Sequence, residues 1–178
     1  RCGNFLRGGG RSVGMPLATH PDVRVVSFTG SSEVGRVLAR ECGTRLKRLS
    51  LELGGKNAQI VMEDANLDLA LEGVLWGAFG TTGQRCTATS RLILHRPIAG
   101  VFLERLVEAA RALKVGDGLE PSTQVGPLVN EGQRETTASY VDIGKKEGAE
   151  LVCGGTPVTG PGFDRGFFYR PTVFAKVR

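Results

Sequence analysis

The 178 residues suffice for one ordinary domain or for parts of two, and 40% hydrophobic against 23% charged residues excludes a disordered chain. The net charge of +5 is spread along the sequence, with one small cluster at Arg45, Lys47 and Arg48, and the few aromatics do not interleave with it, so no nucleic-acid partner is expected. No apolar run approaches the roughly 18 residues of a membrane span, and the cysteines Cys2, Cys42, Cys86 and Cys153 stand far apart without a CxxC pair or a Cys/His cluster; neither a membrane nor a metal site is expected.

Arg1 to Arg11 is rich in Gly and Arg and lacks the apolar stretch of a secretory leader, which points to a reducing, cytoplasmic compartment with free thiols. The β-branched run Val23 to Thr29 predicts a buried strand. Gly30-Ser31-Ser32 makes a tight polar turn into a helix over Glu33 to Cys42, stopped by Gly43. Leu46 to Leu53 alternates and predicts a second strand, ended by Gly54-Gly55. Two strands joined by a helix form a βαβ unit and argue a parallel sheet. After a seam at Gly54-Gly55 the pattern gives a strand over Asn57 to Met62, a helix over Leu67 to Phe79, a polar break over Thr81 to Cys86 and a strand over Leu92 to His95. A helix over Ile98 to Val115, a loop over Leu119 to Val129 and a helix over Glu131 to Gly148 follow. The remainder is a strand over Ala149 to Cys153, a loop over Thr156 to Gly166 and an extended stretch over Phe167 to Val177. The fold class is α/β.

Three segments could carry chemistry. In Phe28 to Gly35, FTGSSEVG, a strand feeds a Gly/Ser turn that opens a helix, and free N–H groups at the positive helix end can bind an anion. Ser31 is equally suited to capping that helix, and the turn is not a GxGxxG fingerprint. In LELGGK, Leu51 to Lys56, alternation turns Glu52 away from Leu51 and Leu53. There it faces either solvent, paired with Arg48 or Lys56, or a cleft in which a carboxylate serves as a general base. In FGTTGQRCTA, Phe79 to Ala88, Cys86 sits in a polar, Gly-containing break rather than in a core run. Such a thiol can meet a substrate, and Arg85 beside it could favour the thiolate, although a lone cysteine is commonly structural. Cys2, Cys42 and Cys153 keep that structural reading. His20 lies in a turn before Pro21, and His95 ends a strand, so neither suggests a Cys-His dyad.

In this order and at this spacing, with Cys86 34 residues after Glu52, the segments resemble the aldehyde dehydrogenase superfamily from about Pro21 onward. LELGGKNA resembles its glutamic-acid signature, FGTTGQRCTATS its cysteine signature and FTGSSEVG its cofactor-phosphate turn; GPLVN, the CGG turn and YRPTVF also fall in family order. Arg1 to Ser12 does not match. The resemblance implies an aldehyde dehydrogenase-like fold: residues 1–53 end a Rossmann-like NAD(P)-binding domain and residues 54–178 form most of a catalytic α/β domain. It implies that an aldehyde is oxidised to a carboxylic acid with NAD or NADP. Cys86 would form a thiohemiacetal and then a thioester, its backbone N–H helping to hold the oxyanion, and Glu52 would activate the hydrolytic water. Gly30 and Ser31 would meet the cofactor pyrophosphate, Val34 the adenine side, and Leu53 and Gly54 the nicotinamide.

The resemblance further implies a small-molecule aldehyde as partner and a parent enzyme that forms homo-oligomers. Family segments that supply an oxyanion-hole asparagine, a ribose-binding lysine and a downstream glutamate have no counterpart in the chain. The expectation is therefore little or no dehydrogenase activity from these residues alone, either as a weakly active piece or as a non-catalytic binding protein that keeps the fold.

Overall fold

A computed structural model describes residues 3–177; the structural reading of Cys2 lies outside the described residues. Two compact units appear, Arg1–Gly55 and Lys56–Arg178.

In the first unit, a π-helical turn over Gly10–Gly14 runs into α1 (Met15–Thr19). Hydrophobic periodicity does not signal so short a helix; Pro16 in its first turn presets the backbone angle. The strands β1 (Val25–Gly30) and β2 (Arg48–Leu53) flank α2 (Ser32–Gly43) and pair in parallel, from Val25 opposite Arg48 to Gly30 opposite Leu53. Both strands start two residues later than their apolar pattern predicts. At the head of β2 the cause is visible: Leu46 is held at φ 52°, and the Lys47 ammonium donates to the carbonyls of Ala18 (2.8 Å) and His20 (2.6 Å). Leu49, Leu51 and Leu53 are half-buried on the face that α2 covers, where Leu38 and Cys42 are buried, whereas Arg48, Ser50 and Glu52 alternate onto the exposed face.

The second unit repeats the strand-helix-strand plan. β3 (Asn57–Val61) and β4 (Thr89–Leu94) pair in parallel around α3 (Leu67–Phe79), which Asn66 caps by accepting from the N–H groups of Asp68 and Leu69. Burying Val61, Val74, Phe102 and Leu106 together fixes α3 and α4 (Arg96–Ala112) on this pair, and burial of that much apolar surface is the main stabilising term. α4 stops short of the expected Val115 because residues 114–116 pair with residues 124 and 125 instead of continuing the helix. α5 (Glu131–Lys146) is capped by Asn130 and buries Val141 against Leu128 and Tyr169.

β5 (Glu150–Cys153) and β6 (Val173–Ala175) are antiparallel. Only those three residues of the expected extended stretch Phe167 to Val177 form a strand. The preceding part is used in single bridges from Phe167 to Leu128 and from Tyr169 to Pro157, and Pro171 has no N–H for a ladder. The turn after β5 requires glycine: Gly154 stands at φ +70°, and a Cβ there would run into the Pro171 carbonyl. No described helix is long and apolar enough to cross a membrane, and the described residues hold no group of three or more His, Cys, Asp or Glu side chains arranged for a metal ion.

Candidate active site

α3 ends at Phe79, and the chain turns through a 3₁₀ segment, Gly80–Gly83, before reaching Cys86. Three successive residues there are left-handed: Thr81 (φ 52°), Thr82 (φ 59°) and Gly83 (φ 67°). For a β-branched residue this conformation costs about 1–2 kcal/mol, so the surroundings must impose it. They do so from several sides. The Thr82 hydroxyl donates to the Gly126 carbonyl (3.3 Å), and the Val129 N–H donates to Gln84 Oε1 (3.0 Å), so the GPLVN segment grips the loop. The Arg85 guanidinium lies over the Trp76 ring, 4.8 Å from its centre, and donates to the Trp76 carbonyl (3.0 Å). That charge is committed to α3, and the Arg85 Nε is buried without a partner.

From the other side, Asn57 Nδ2 donates to the carbonyls of Cys86 (2.6 Å) and Ala88 (3.2 Å). The Cys86 thiol is exposed, while those of Cys42 and Cys153 are buried, Cys153 against the Pro171 carbonyl. The sequence reading did not single out Asn57, Thr82 or Gln84. Their signal was present only as membership of the quoted motifs. Each histidine has a local partner of its own: His20 accepts from the Asp22 N–H in the first unit, and His95 faces Glu63 at 3.6 Å in the second.

In the first unit the predicted residues Gly30, Ser31, Val34, Glu52, Leu53 and Gly54 gather at the carboxyl ends of β1 and β2. Thr29 stands beside Glu52 and Gly30 beside Leu53. Glu52 is exposed and forms no ion pair with Arg48. Ser31 is the N-cap of α2, its Oγ accepting from the Val34 N–H (3.3 Å). An accepting hydroxyl keeps its own proton to donate, and the first N–H groups of α2 have no partner within the helix, so capping leaves the turn able to bind an anion. α2 approaches the end of β2 so closely that a Cβ on Gly35 would lie 2.8 Å from Leu53 Cδ2. Cys86 lies in the other unit.

An aldehyde dehydrogenase family model matches residues 2–178. The chain belongs to the aldehyde dehydrogenase family. The match extends upstream of Pro21 and takes in the Arg- and Gly-rich start, where the motifs alone do not show the resemblance. The betaine aldehyde dehydrogenases of Brucella ovis and Brucella canis are each 44% identical over 174 residues, 98% of this chain and 36% of theirs. Among solved structures, PnpE from Pseudomonas sp. WBC-3, in complex with nicotinamide adenine dinucleotide, is 42% identical with a TM-score of 0.90, covering 94% of this chain and 34% of that one. Betaine aldehyde dehydrogenase from Staphylococcus aureus in complex with NAD+ is 33% identical with a TM-score of 0.93, covering 96% and 34%. The chain therefore spans about a third of the length of the curated aldehyde dehydrogenases it matches.

Proposed function

We propose that the chain carries the thiol and the general base of an NAD(P)-dependent aldehyde dehydrogenase. The observation that carries this reading is the setting of Cys86: an exposed thiol on a left-handed loop that other elements hold under strain, inside the family's cysteine motif. Strained backbone at an exposed nucleophile is a recurrent mark of a functional site.

In this reading the Cys86 thiol gives its proton to solvent and its sulfur attacks the aldehyde carbon, forming the C–S bond of a thiohemiacetal while the carbonyl oxygen takes the charge and the Cys86 N–H donates to it. NAD or NADP, held by the Gly30-Ser31 turn and by the backbone at Leu53 and Gly54, would supply the two-electron oxidant that takes hydride from the adduct carbon and leaves a thioester. Glu52, on the open face at the end of β2, takes a proton from water, whose oxygen attacks the thioester carbon. The C–S bond then breaks, the acid leaves and the thiol is restored. The Gly30-Ser31 turn and the first N–H groups of α2 suit a pyrophosphate, Val34 would lie toward the adenine, and Leu53 and Gly54 would bring backbone to the nicotinamide. The domains follow as a cofactor-binding part over residues 1–53 and a catalytic part over residues 54–178. The substrate class is a small aldehyde, and betaine aldehyde, after which the Brucella relatives are named, is the first to try. A cytoplasmic location would keep Cys86 reduced, and the parent enzyme would be a homo-oligomer.

The test is single-turnover formation of reduced nicotinamide when the chain is mixed with NAD and betaine aldehyde or propionaldehyde. Reduction tied to acylation of Cys86, and absent in Cys86→Ser, supports the reading. Reduction that persists in Cys86→Ser, or acylation carried by a residue other than Cys86, refutes it.

A further inference from the structure

We propose that Asn57 is the positioning residue of the nucleophile: its side-chain amide ties the carbonyls of Cys86 and Ala88 to the head of β3 and so fixes the backbone from which the thiol projects. This rests on the reading of Cys86 as the nucleophile. The need for such a residue arises where β4 grows out of the cysteine loop. The β3–β4 ladder slips there, with Asn57 opposite Thr89 but Ala58 opposite Arg91. A slipped ladder leaves carbonyls without regular backbone donors. An asparagine amide carries two N–H groups on one nitrogen, enough to serve two carbonyls at once, and Asn57 uses it on Cys86 (2.6 Å) and Ala88 (3.2 Å).

The arrangement closes on itself. The Ala88 N–H donates to the Arg85 carbonyl (3.0 Å), making a tight turn around Cys86, and the Ser90 hydroxyl donates to the Asn57 carbonyl (3.3 Å). Upstream, the left-handed residues Thr81 and Thr82 give the loop a reason to relax once it is released. Asn57 touches no reacting atom in this scheme and acts through the backbone of Cys86.

The experiment compares the 178-residue chain with Asn57→Ala, Asn57→Ser and Asn57→Asp, each checked for folding by circular dichroism and thermal melting. The probe is p-nitrophenyl acetate. The Cys86 sulfur forms a bond to the acetyl carbon, the bond to the nitrophenolate oxygen breaks, and nitrophenolate leaves with the electron pair while the thiol proton goes to solvent. Nitrophenolate release gives the acylation rate, peptide mass assigns it to Cys86, and Cys86→Ser sets the background. Hydrogen exchange of the peptide spanning residues 84–89 reports the loop directly.

Asn57→Ala and Asn57→Asp should acylate at least about tenfold more slowly and exchange at least about tenfold faster over that peptide, since misplacement of a reacting group by about 1 Å can cost about a hundredfold. Asn57→Ser, with one donor left, should fall between. The aspartate variant has the shape of the original but no amide donor, so its slowing separates the hydrogen bonds from packing, and it decides with Asn57→Ser if the alanine variant does not fold. A merely structural role would instead lower the melting temperature and open buried Cys42 and Cys153 to labelling. Wild-type acylation and exchange in Asn57→Asp overturn the proposal while leaving Cys86 as the nucleophile. Failure of the unsubstituted chain to acylate at Cys86 overturns both.

Discussion

Substituting Gly35 tests how closely the first turns of α2 are built against the strand that carries Glu52. A Cβ at this position would stand 2.8 Å from Leu53 Cδ2 and 3.0 Å from Cδ1. Carbon atoms pack best at about 3.5–4.0 Å, so α2 or Leu53 must yield by about 0.7 Å even for alanine. Overpacking of this kind costs about 1–3 kcal/mol, and the better helix propensity of alanine returns up to about 1 kcal/mol. The Leu53 methyls are the flexible end of a half-buried side chain and can turn aside for a single Cβ, so Gly35→Ala should be close to neutral, whereas Gly35→Val, with two further methyl groups and a β-branch, should lose about 1–3 kcal/mol. Gly43, near the end of the same helix, meets nothing within 4 Å, so Gly43→Ala is the control and should be neutral or slightly stabilising. Urea unfolding measures the stabilities, and titration with NAD measures the second consequence. Moving α2 away from Leu53 moves the Gly30-Ser31 turn, and Gly35→Val should bind NAD about tenfold more weakly, equivalent to about 1.4 kcal/mol. A Gly35→Val chain as stable as Gly43→Ala would refute the close approach and the argument built on it.

Ser31→Ala removes the cap of α2 and should cost about 1 kcal/mol in urea unfolding; if the hydroxyl also meets the pyrophosphate, NAD affinity falls as well, whereas loss of stability alone would leave Ser31 as a cap only. Tyr169 is buried, and burial together with the nearby Asp142 charge raises its phenol above the usual value of 10.0. Below that pH the phenol is protonated in both states and contributes no slope. As pH rises past it the unfolded chain ionises first, so stability falls. Tyr169→Phe should flatten the alkaline end of the stability profile, and an unchanged profile would contradict this.

The βαβ plan of the first unit was legible because each signal is local: a β-branched run, a Gly/Ser turn, helical spacing and a stop at glycine. Alternation alone turned Glu52 away from its leucine neighbours, as the strand's burial pattern shows. The strand starts were less legible, since Leu46 and Lys47 belong by composition to β2 but are drawn away by a left-handed residue and by carbonyls 27 and 29 positions upstream. The cysteine loop shows the same limit more sharply. Its polar, glycine-containing character is written in residues 79–88, but the bonds that hold it come from Asn57, Gly126 and Val129, at 29 to 45 positions' remove. Nothing in local composition announces a tertiary hydrogen bond. Arg85 illustrates the cost of reading neighbours along the chain as neighbours in space: its charge rests on Trp76, nine positions upstream in α3.

The proposed division of labour, a Cys86 sulfur that is acylated and a Glu52 carboxylate that frees it, is most directly read in the lifetime of the acyl group. Glu52→Gln keeps the size of the side chain and removes its basicity. After a pulse of p-nitrophenyl acetate, intact mass should show one acetyl group on Cys86 in both chains. It should be lost by hydrolysis from the unsubstituted chain and persist at least about tenfold longer in Glu52→Gln, within the range in which general-base catalysis contributes. Equal lifetimes in the two chains, or an acetyl group carried anywhere but Cys86, would contradict the account.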